Sequence, residues 1–396
     1  MDETSDRQTQ RLAATLRDGE RVTPLELFFD LVFVLALTQC TALMAHDPSW
    51  AGLAKGLLAL ALLWWAWVGY AWLTSTVDPE EGVVKLVLMG AMAGLLVVAL
   101  CVPHAYGSEA VLFAAAYGVV RAAHIALFVL ASRDDDGLRR SVSGLAAGTA
   151  VGVALLLGGA LAGGNAQAIL WIVALALDAG GPYLAGSSGW RLVPGHFAER
   201  HGLIVIIALG ESIVAIGTGA GTRIDAGITA AAVIGTAIAG AMWWLYFDVV
   251  ALVAERRLMN AEAGRERNEV ARDSYSYLHF PMVAGIVLVA LGLKKTLAHV
   301  GDPLDTVPAA ALLGGAGLYL LAHVAFRWRN VHRFSGQRVL CAVALGAFLP
   351  AAVELPALAT LGVVATVLAL LIWWETARYA ELRDRLRHQL VEPAAP

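Results

Sequence analysis

The chain is poor in charge. Only 15% of its 396 residues are Asp, Glu, Lys or Arg, against about 25% in ordinary soluble domains. With 59% hydrophobic residues and a mean hydropathy of +0.68, this deficit excludes a disordered chain and argues against a soluble globular enzyme. Net charge is -4 with no basic domain, so no nucleic-acid partner is expected. Lysine is nearly missing, with 4 Lys against 24 Arg, a bias that fits a GC-rich bacterial genome. The three cysteines, Cys40, Cys101 and Cys341, lie unclustered inside apolar runs. Their odd number argues against disulfides and zinc, so neither a metal nor a cofactor is expected. The first 23 residues are polar, with Arg7, Arg11, Arg17 and Arg21, and lack the short apolar core and cleavage site of a signal peptide. Walker A, GxSxG, HExxH and paired CxxC motifs are all absent, so no catalytic residue is assigned and no enzyme is expected.

What remains is apolar sequence in membrane-length runs. A spanning helix needs about 20 apolar residues. Runs bounded by charge, Gly or Pro number twelve: 24–45, 50–75, 82–102, 108–132, 139–162, 166–186, 199–219, 226–253, 274–299, 306–328, 335–353 and 357–379. The period-2 alternation of a membrane barrel is missing. The expected fold is therefore an all-α integral membrane protein of about twelve transmembrane helices.

Charge tests that count. With the N-terminus inside, the cytoplasmic segments carry 22 Lys or Arg and the external loops only Arg223. The positive-inside rule then places both termini in the cytoplasm, in a bacterial inner membrane. The four lysines sit toward segment ends, where they snorkel, but Arg121 does not.

The second half resembles the first. Leu31–Gln39 aligns with Leu203–Glu211, and Trp64-Trp65-Ala66-Trp67 with Trp243-Trp244-Leu245-Tyr246. Ala123-His124-Ile125-Ala126 aligns with Ala322-His323-Val324-Ala325, Arg140 with Arg338, and Gly148 with Gly346. Each match joins segment n to segment n+6, which implies a parallel 6+6 repeat about an axis along the membrane normal. The expected organisation is a cytoplasmic tail 1–23, six-helix units 24–195 and 196–379, and a cytoplasmic tail 380–396.

Ionisable residues inside the apolar runs are the functional candidates. The first run carries Glu26 and Asp30, four apart on one helix face, with Gln39 deeper. The seventh opens with Glu199, Arg200 and His201, read as a charged cytoplasmic entrance, and reaches Glu211 and Ser212 about three turns later on the same face. Arg121 and His124 share a face of the fourth run, and His323 repeats the histidine in the tenth. Asp178 precedes Gly180-Gly181-Pro182, expected to kink or break the sixth helix, and Asp248 follows the second Trp pair by one turn. One arginine, Arg121, cannot neutralise Asp30, Asp178 and Glu211 together. Either some carboxylates serve a proton or cation path, or buried ion pairs merely lock the packing. Trp64, Trp65, Trp243 and Trp244 read as packing or interface anchors, with a ligand cage as the alternative.

Two long motifs carry a family resemblance. Val22-Thr-Pro-Leu-Glu-Leu-Phe-Phe-Asp-Leu-Val-Phe-Val34 resembles the N-terminal signature of the bacterial low temperature requirement A family. His196-Phe-Ala-Glu-Arg-His-Gly-Leu-Ile-Val-Ile-Ile-Ala-Leu-Gly-Glu-Ser-Ile-Val214 is similar to it too, as are Trp243-Trp244-Leu-Tyr-Phe-Asp248 and Tyr277-Leu-His-Phe-Pro281. The resemblance implies a membrane protein and points to Glu26, Asp30, Glu199, Arg200, His201, Glu211, Ser212 and Asp248. It supplies no substrate. Phe29–Phe33 is more loosely similar to the Phe-Ser-Asp signature of the endosomal/lysosomal potassium-channel family. The expected function is a proton- or cation-coupled transporter of an unidentified small solute. A cation channel and a non-transporting scaffold or stress-related sensor are the alternatives. The lipid bilayer is the expected partner, together with a proton or monovalent cation, and oligomerisation is open.

Overall fold

Where water is absent, backbone polar groups must be satisfied within the segment itself. The chain does this with helices throughout. The computed structural model describes residues 17, 21–80, 82–184, 189–221 and 224–380. Arg7, Arg11, Arg223, most of the tail 1–23 and residues 381–396 lie outside the described residues. The helices are α1 (Pro24–His46), α2 (Trp50–Thr74), α3 (Gly82–Cys101), α4 (Ala110–Ala131), α5 (Asp136–Ala162), α6 (Gly164–Leu184) and α7 (Pro194–Gly219). They continue as α8 (Ala226–Phe247), α9 (Val250–Met259), α10 (Arg265–Val270), α11 (His279–Ala298), α12 (Thr306–Val331), α13 (Gly336–Ala347), α14 (Leu349–Ala352) and α15 (Ala357–Arg378). Among the described residues no strand forms, and eleven helices are long and apolar enough to cross a membrane.

Local sequence sets the helix ends. Thr23 and Glu26 form a reciprocal capping box at the start of α1, with Pro24 in its first turn. Asp135 caps α5 by accepting from the Leu138 and Gly137 N–H groups, and Arg191 lies 2.8 Å from its other oxygen. These contacts, the Leu138 N–H first among them, hold its carboxyl below the usual carboxylate range.

Three boundaries differ from the sequence expectation. The run 335–353 is divided into α13 and α14, of 12 and 4 residues, shorter than the other spans. Pro350 has no N–H to continue α13 and instead opens α14. The charged loop expected over 254–273 is largely helical: it holds most of α9, all of α10 and the start of a π-helical stretch, Ala271–Tyr277, that leads into α11. Finally, α6 does not break at Gly180–Pro182 but runs through Pro182 to Leu184, so the proline costs a backbone bond only near the helix end.

Packing follows a pattern. In the first half α1 packs on α2 and α3, α3 on α4, α4 on α5, α5 on α6, and α6 on α2. In the second, α7 packs on α8 and α11, α11 on α12, α12 on α13, and α8 on α15. The two groups meet where α1 contacts α7 and α11. Loops gather at opposite ends. Val193 N–H donates to Ser75, Asn268 to the Trp190 carbonyl, and Arg191 pairs with Asp135 at one end. Tyr106 reaches the Lys55 carbonyl and Gln167 the Ala105 carbonyl at the other. Large apolar side chains such as Leu86, Leu161, Val233 and Leu340 face outward, while Glu26, Asp30, Arg121, Arg200 and Glu211 are buried. That arrangement suits a surface facing lipid.

Among the described residues the most extensive helix contact is α11 on α12, and glycine permits close approach there. A Cβ on Gly285 would lie 2.7 Å from the Gly315 carbonyl oxygen, and one on Gly315 would lie 2.7 Å from Leu288 Cβ. Gly315→Leu is therefore expected to cost about 1–3 kcal/mol through overpacking. The neighbouring Gly314, where an added Cβ meets nothing within 4 Å, is expected to accept Leu with little change. Thermal unfolding of the two detergent-purified variants separates these outcomes.

Candidate functional site

The buried charges begin with two helix faces. Glu26 and Asp30 are four apart on α1, and His196 and Arg200 are four apart on α7. Each pair shares a face, and the two faces meet. Arg200 Nη1 lies 3.0 Å from Glu26 Oε1, and Nη2 lies 2.8 Å from Asp30 Oδ1. His196 Nε2 is 2.8 Å from Glu26 Oε1, and Arg17 Nη1 is 3.2 Å from Glu26 Oε2. From α2, Trp67 Nε1 donates to Asp30 Oδ1 at 2.8 Å, and its ring lies 5.5 Å from the Arg200 guanidinium. Two guanidiniums thus face two carboxylates, and the cluster balances without charge on His196. Arg200 keeps only 1% of its surface exposed.

The expected entrance cluster is thereby divided. Glu199 alone is exposed, accepting from the Val22 N–H at 3.0 Å. Arg200 and His201 are interior groups. Arg121 makes a second, separate pair: its Nη2 lies 2.9 Å from Asp178 Oδ2, and Thr149 bonds to both partners. This triad joins α4, α5 and α6. Nearby, His124 Nε2 lies 2.9 Å from the Gly69 carbonyl.

Glu211 forms a third site. It is buried on α7 and accepts from the Thr38 hydroxyl of α1. Among the described residues no Lys, Arg or His lies within ion-pair distance, and Lys294 acts on it only from farther away. Ser212 beside it is buried, and Gln39, its counterpart in the aligned first half, is half-buried. Asp30, Arg121, Asp178 and Glu211 therefore occupy three distinct places.

A fourth group joins α7, α8, the π-helical stretch, α11 and α12. His201, His279 and His323 each place Nδ1 within 3.0 Å of a backbone carbonyl, of Phe197, Ser274 and Tyr319 respectively. A carbonyl only accepts, so each Nδ1 carries the hydrogen and leaves Nε2 as an acceptor. That of His279 receives the Tyr246 hydroxyl at 2.8 Å, and the His201 and His279 rings lie 5.2 Å apart. The Nε2 atoms of His201 and His323 have no hydrogen-bond partner among the described residues. Among the described residues no three His, Cys, Asp or Glu groups are placed to hold a metal ion.

The tryptophan pairs separate by environment. Trp64 and Trp65 are buried, and Trp64 Nε1 donates to the Ser276 carbonyl at 2.8 Å. Trp243 and Trp244 are 45% and 40% exposed, at the level of interface anchors. Asp248 is half-buried at the C-cap of α8. Sequence reasoning missed Arg17, Thr38, Trp67, His196, Tyr246 and His279 as site members. The i, i+4 spacing of His196 and Arg200 was a usable signal for one of them. His279 sat inside the quoted Tyr277–Pro281 motif.

A double-mutant cycle tests the separation of these sites. Arg200→Met alone leaves two buried carboxylates short of a partner and is expected to cost about 3–5 kcal/mol. Arg121→Met with Asp178→Asn is expected to show strong coupling, whereas Arg121→Met with Asp30→Asn is expected to add. Denaturation of all variants in one detergent provides the measurement. Coupling of Arg121 to Asp30 above about 0.5 kcal/mol would contradict separate sites.

Comparison with known proteins identifies the family. The family model described as bacterial low temperature requirement A protein (LtrA) matches residues 21–373, which contain every buried charge described above except Arg17. The chain is 32% identical over 307 residues to the uncharacterized protein RA0937 of Rhizobium meliloti (strain 1021), covering 74% of each chain. No solved structure matches it. On the extent of the family match and of this relative, the chain belongs to the bacterial low temperature requirement A family.

Proposed function

We propose that the chain is a proton- or cation-coupled transporter of a small solute, seated in the bacterial cytoplasmic membrane with both termini inside. One observation carries this reading: Glu211, a buried carboxylate with no cation in pairing distance among the described residues, at the contact of α1 with α7. An uncompensated carboxylate at such depth is costly and is relieved by a proton or a bound cation. Its partner suits either state. The Thr38 hydroxyl has one hydrogen, and it also lies 3.2 Å from the Val34 carbonyl, which can only accept. Thr38 can therefore donate to an ionised Glu211, or donate to Val34 and accept from a protonated one.

The neighbour pattern supports a doubled six-helix unit. The pairings α1–α2, α1–α3, α3–α4, α4–α5 and α2–α6 recur as α7–α8, α7–α11, α11–α12, α12–α13 and α8–α15. Glu211 stands at the contact between the two units, where repeat-built transporters place their sites. The arginine asymmetry supports the orientation. A scaffold is the second reading, favoured by the closed pairing of Arg200 with Glu26 and Asp30 and of Arg121 with Asp178.

The test is charge movement on a supported membrane carrying proteoliposomes, after a pH step and after Na⁺ or K⁺ steps. The wild type is expected to give a saturable transient that Glu211→Gln reduces at least tenfold and Glu199→Gln leaves intact. A sustained, non-saturating current points to a channel instead. Absence of any transient in folded wild type, or an undiminished one in Glu211→Gln, overturns the transporter.

A further inference from the structure

Aligned positions of the two halves line cavities of different size. Trp65, Gly69, Arg121 and Phe128, together with Arg272 from the second half, line a cavity of about 60 Å³. In the second, Trp244, Asp248 and Arg327, which align with Trp65, Gly69 and Phe128, line one of about 410 Å³. Arg333 and Glu375 line it too. Glu375 is bound by Arg338 through two contacts of 2.8 Å. Arg327 lies 2.8 Å from Ser335 Oγ and 5.7 Å from the Tyr379 ring. Neither Arg327 nor Arg333 has a carboxylate within 4.0 Å among the described residues. The lining carries Arg327 and Arg333 against Asp248 and Glu375, and with Arg338 bound to Glu375 the cluster holds three guanidiniums and two carboxylates.

A second space adjoins this cavity. An open groove of about 560 Å³ runs between α8 and α15 along Ala237, Gly240, Ala241, Ala365 and Ala369. Trp244 and Ile372 line both. On both helices the groove residues lie toward mid-span and the charged cavity toward the C-terminal end. From Ala365 to Tyr379 the helical rise is about 20 Å. An apolar lateral slot thus ends at an arginine-lined chamber beside the exposed Trp243, Trp244, Trp373 and Trp374.

We propose that this is a binding site for an anionic glycerophospholipid. Its phosphate sits between Arg327 and Arg333, and one acyl chain lies in the groove between α8 and α15. Basic pockets between transmembrane helices bind anionic headgroups by this chemistry. The small residues leave room for the chain, and the interfacial tryptophans set the headgroup depth. The first half, with Phe128 in place of Arg327 and Gly69 in place of Asp248, does not repeat it.

Native mass spectrometry of the detergent-purified full chain tests this with phosphatidylglycerol and phosphatidylcholine of identical acyl chains. The wild type is expected to retain at least tenfold more phosphatidylglycerol. Arg327→Ala/Arg333→Ala is expected to reduce that preference at least fivefold. Two further variants guard against misfolding: Arg333→Glu, at an exposed position, and Gly240→Phe, where an added Cβ meets nothing within 4 Å. The first reverses the headgroup field and the second fills the groove, and each is expected to lower retention at least fivefold. Equal retention of both lipids by the wild type overturns the proposal, as does wild-type retention by Arg333→Glu and Gly240→Phe. Displacement of phosphatidylglycerol by equimolar inorganic phosphate or glycerol phosphate overturns it too, since that marks a soluble-anion site.

Discussion

The Arg200 guanidinium, held between Glu26 and Asp30, is the contact on which the rest of the arrangement depends. Neither the bilayer nor a dry helix interface solvates charge, so each of these groups is tolerable only while the others are present. The contact joins α1 to α7 and so the first half to the second. It also fixes rotation, because the i, i+4 pair on each helix meets its partner at only one setting. Trp67 locks the same carboxylate from α2, and the capping box of α1 ends on the same Glu26. A local helix-start signal is thereby tied to a long-range junction.

Once that cluster is closed, the remaining deep charges sort themselves. Arg121 and Asp178 satisfy each other within the first half and add rigidity there. Glu211 has only hydroxyl help, at the same seam as Arg200 and about three turns along the same helix. A balanced, rigid junction beside an unbalanced carboxylate suits a protein in which one group changes its proton or cation occupancy against a fixed frame. The histidine group extends from that seam into α11 and α12, with each tautomer set by a backbone carbonyl.

Where the two halves of the proposed repeat align, the surroundings of the aligned residues differ. Aligned tryptophan pairs are buried in one half and exposed in the other, and the cavities lined by aligned positions are small in one case and large in the other. Arg140 and Arg338 make the same point: the first is exposed, while the second is buried against Glu375. A shared packing scheme thus carries different surface chemistry on its two sides.

By itself the sequence determined the medium, the helical class and the family, because charge scarcity, run length and two long motifs are local properties. It also picked out charges that lie deep: Asp30, Arg121, Asp178 and Glu211 stand out against their apolar neighbours, whereas the burial of Glu26 came from the structure. The interruption within 335–353 was readable in principle at Pro350, whereas the helices in 254–273 were hidden by their charge. Only the tertiary structure decided who pairs with whom. Lipid-facing and protein-facing positions are equally apolar in a membrane helix, so periodicity does not report its rotation or its neighbour. For that reason Arg200 read as a solvated entrance residue until α1 was seen against it. Arg121 alone was too few for three deep carboxylates, and only the structure showed that Asp178 is the one it pairs with. Thr38, an ordinary residue in any helix, became a site residue only through the carboxylate that faces it.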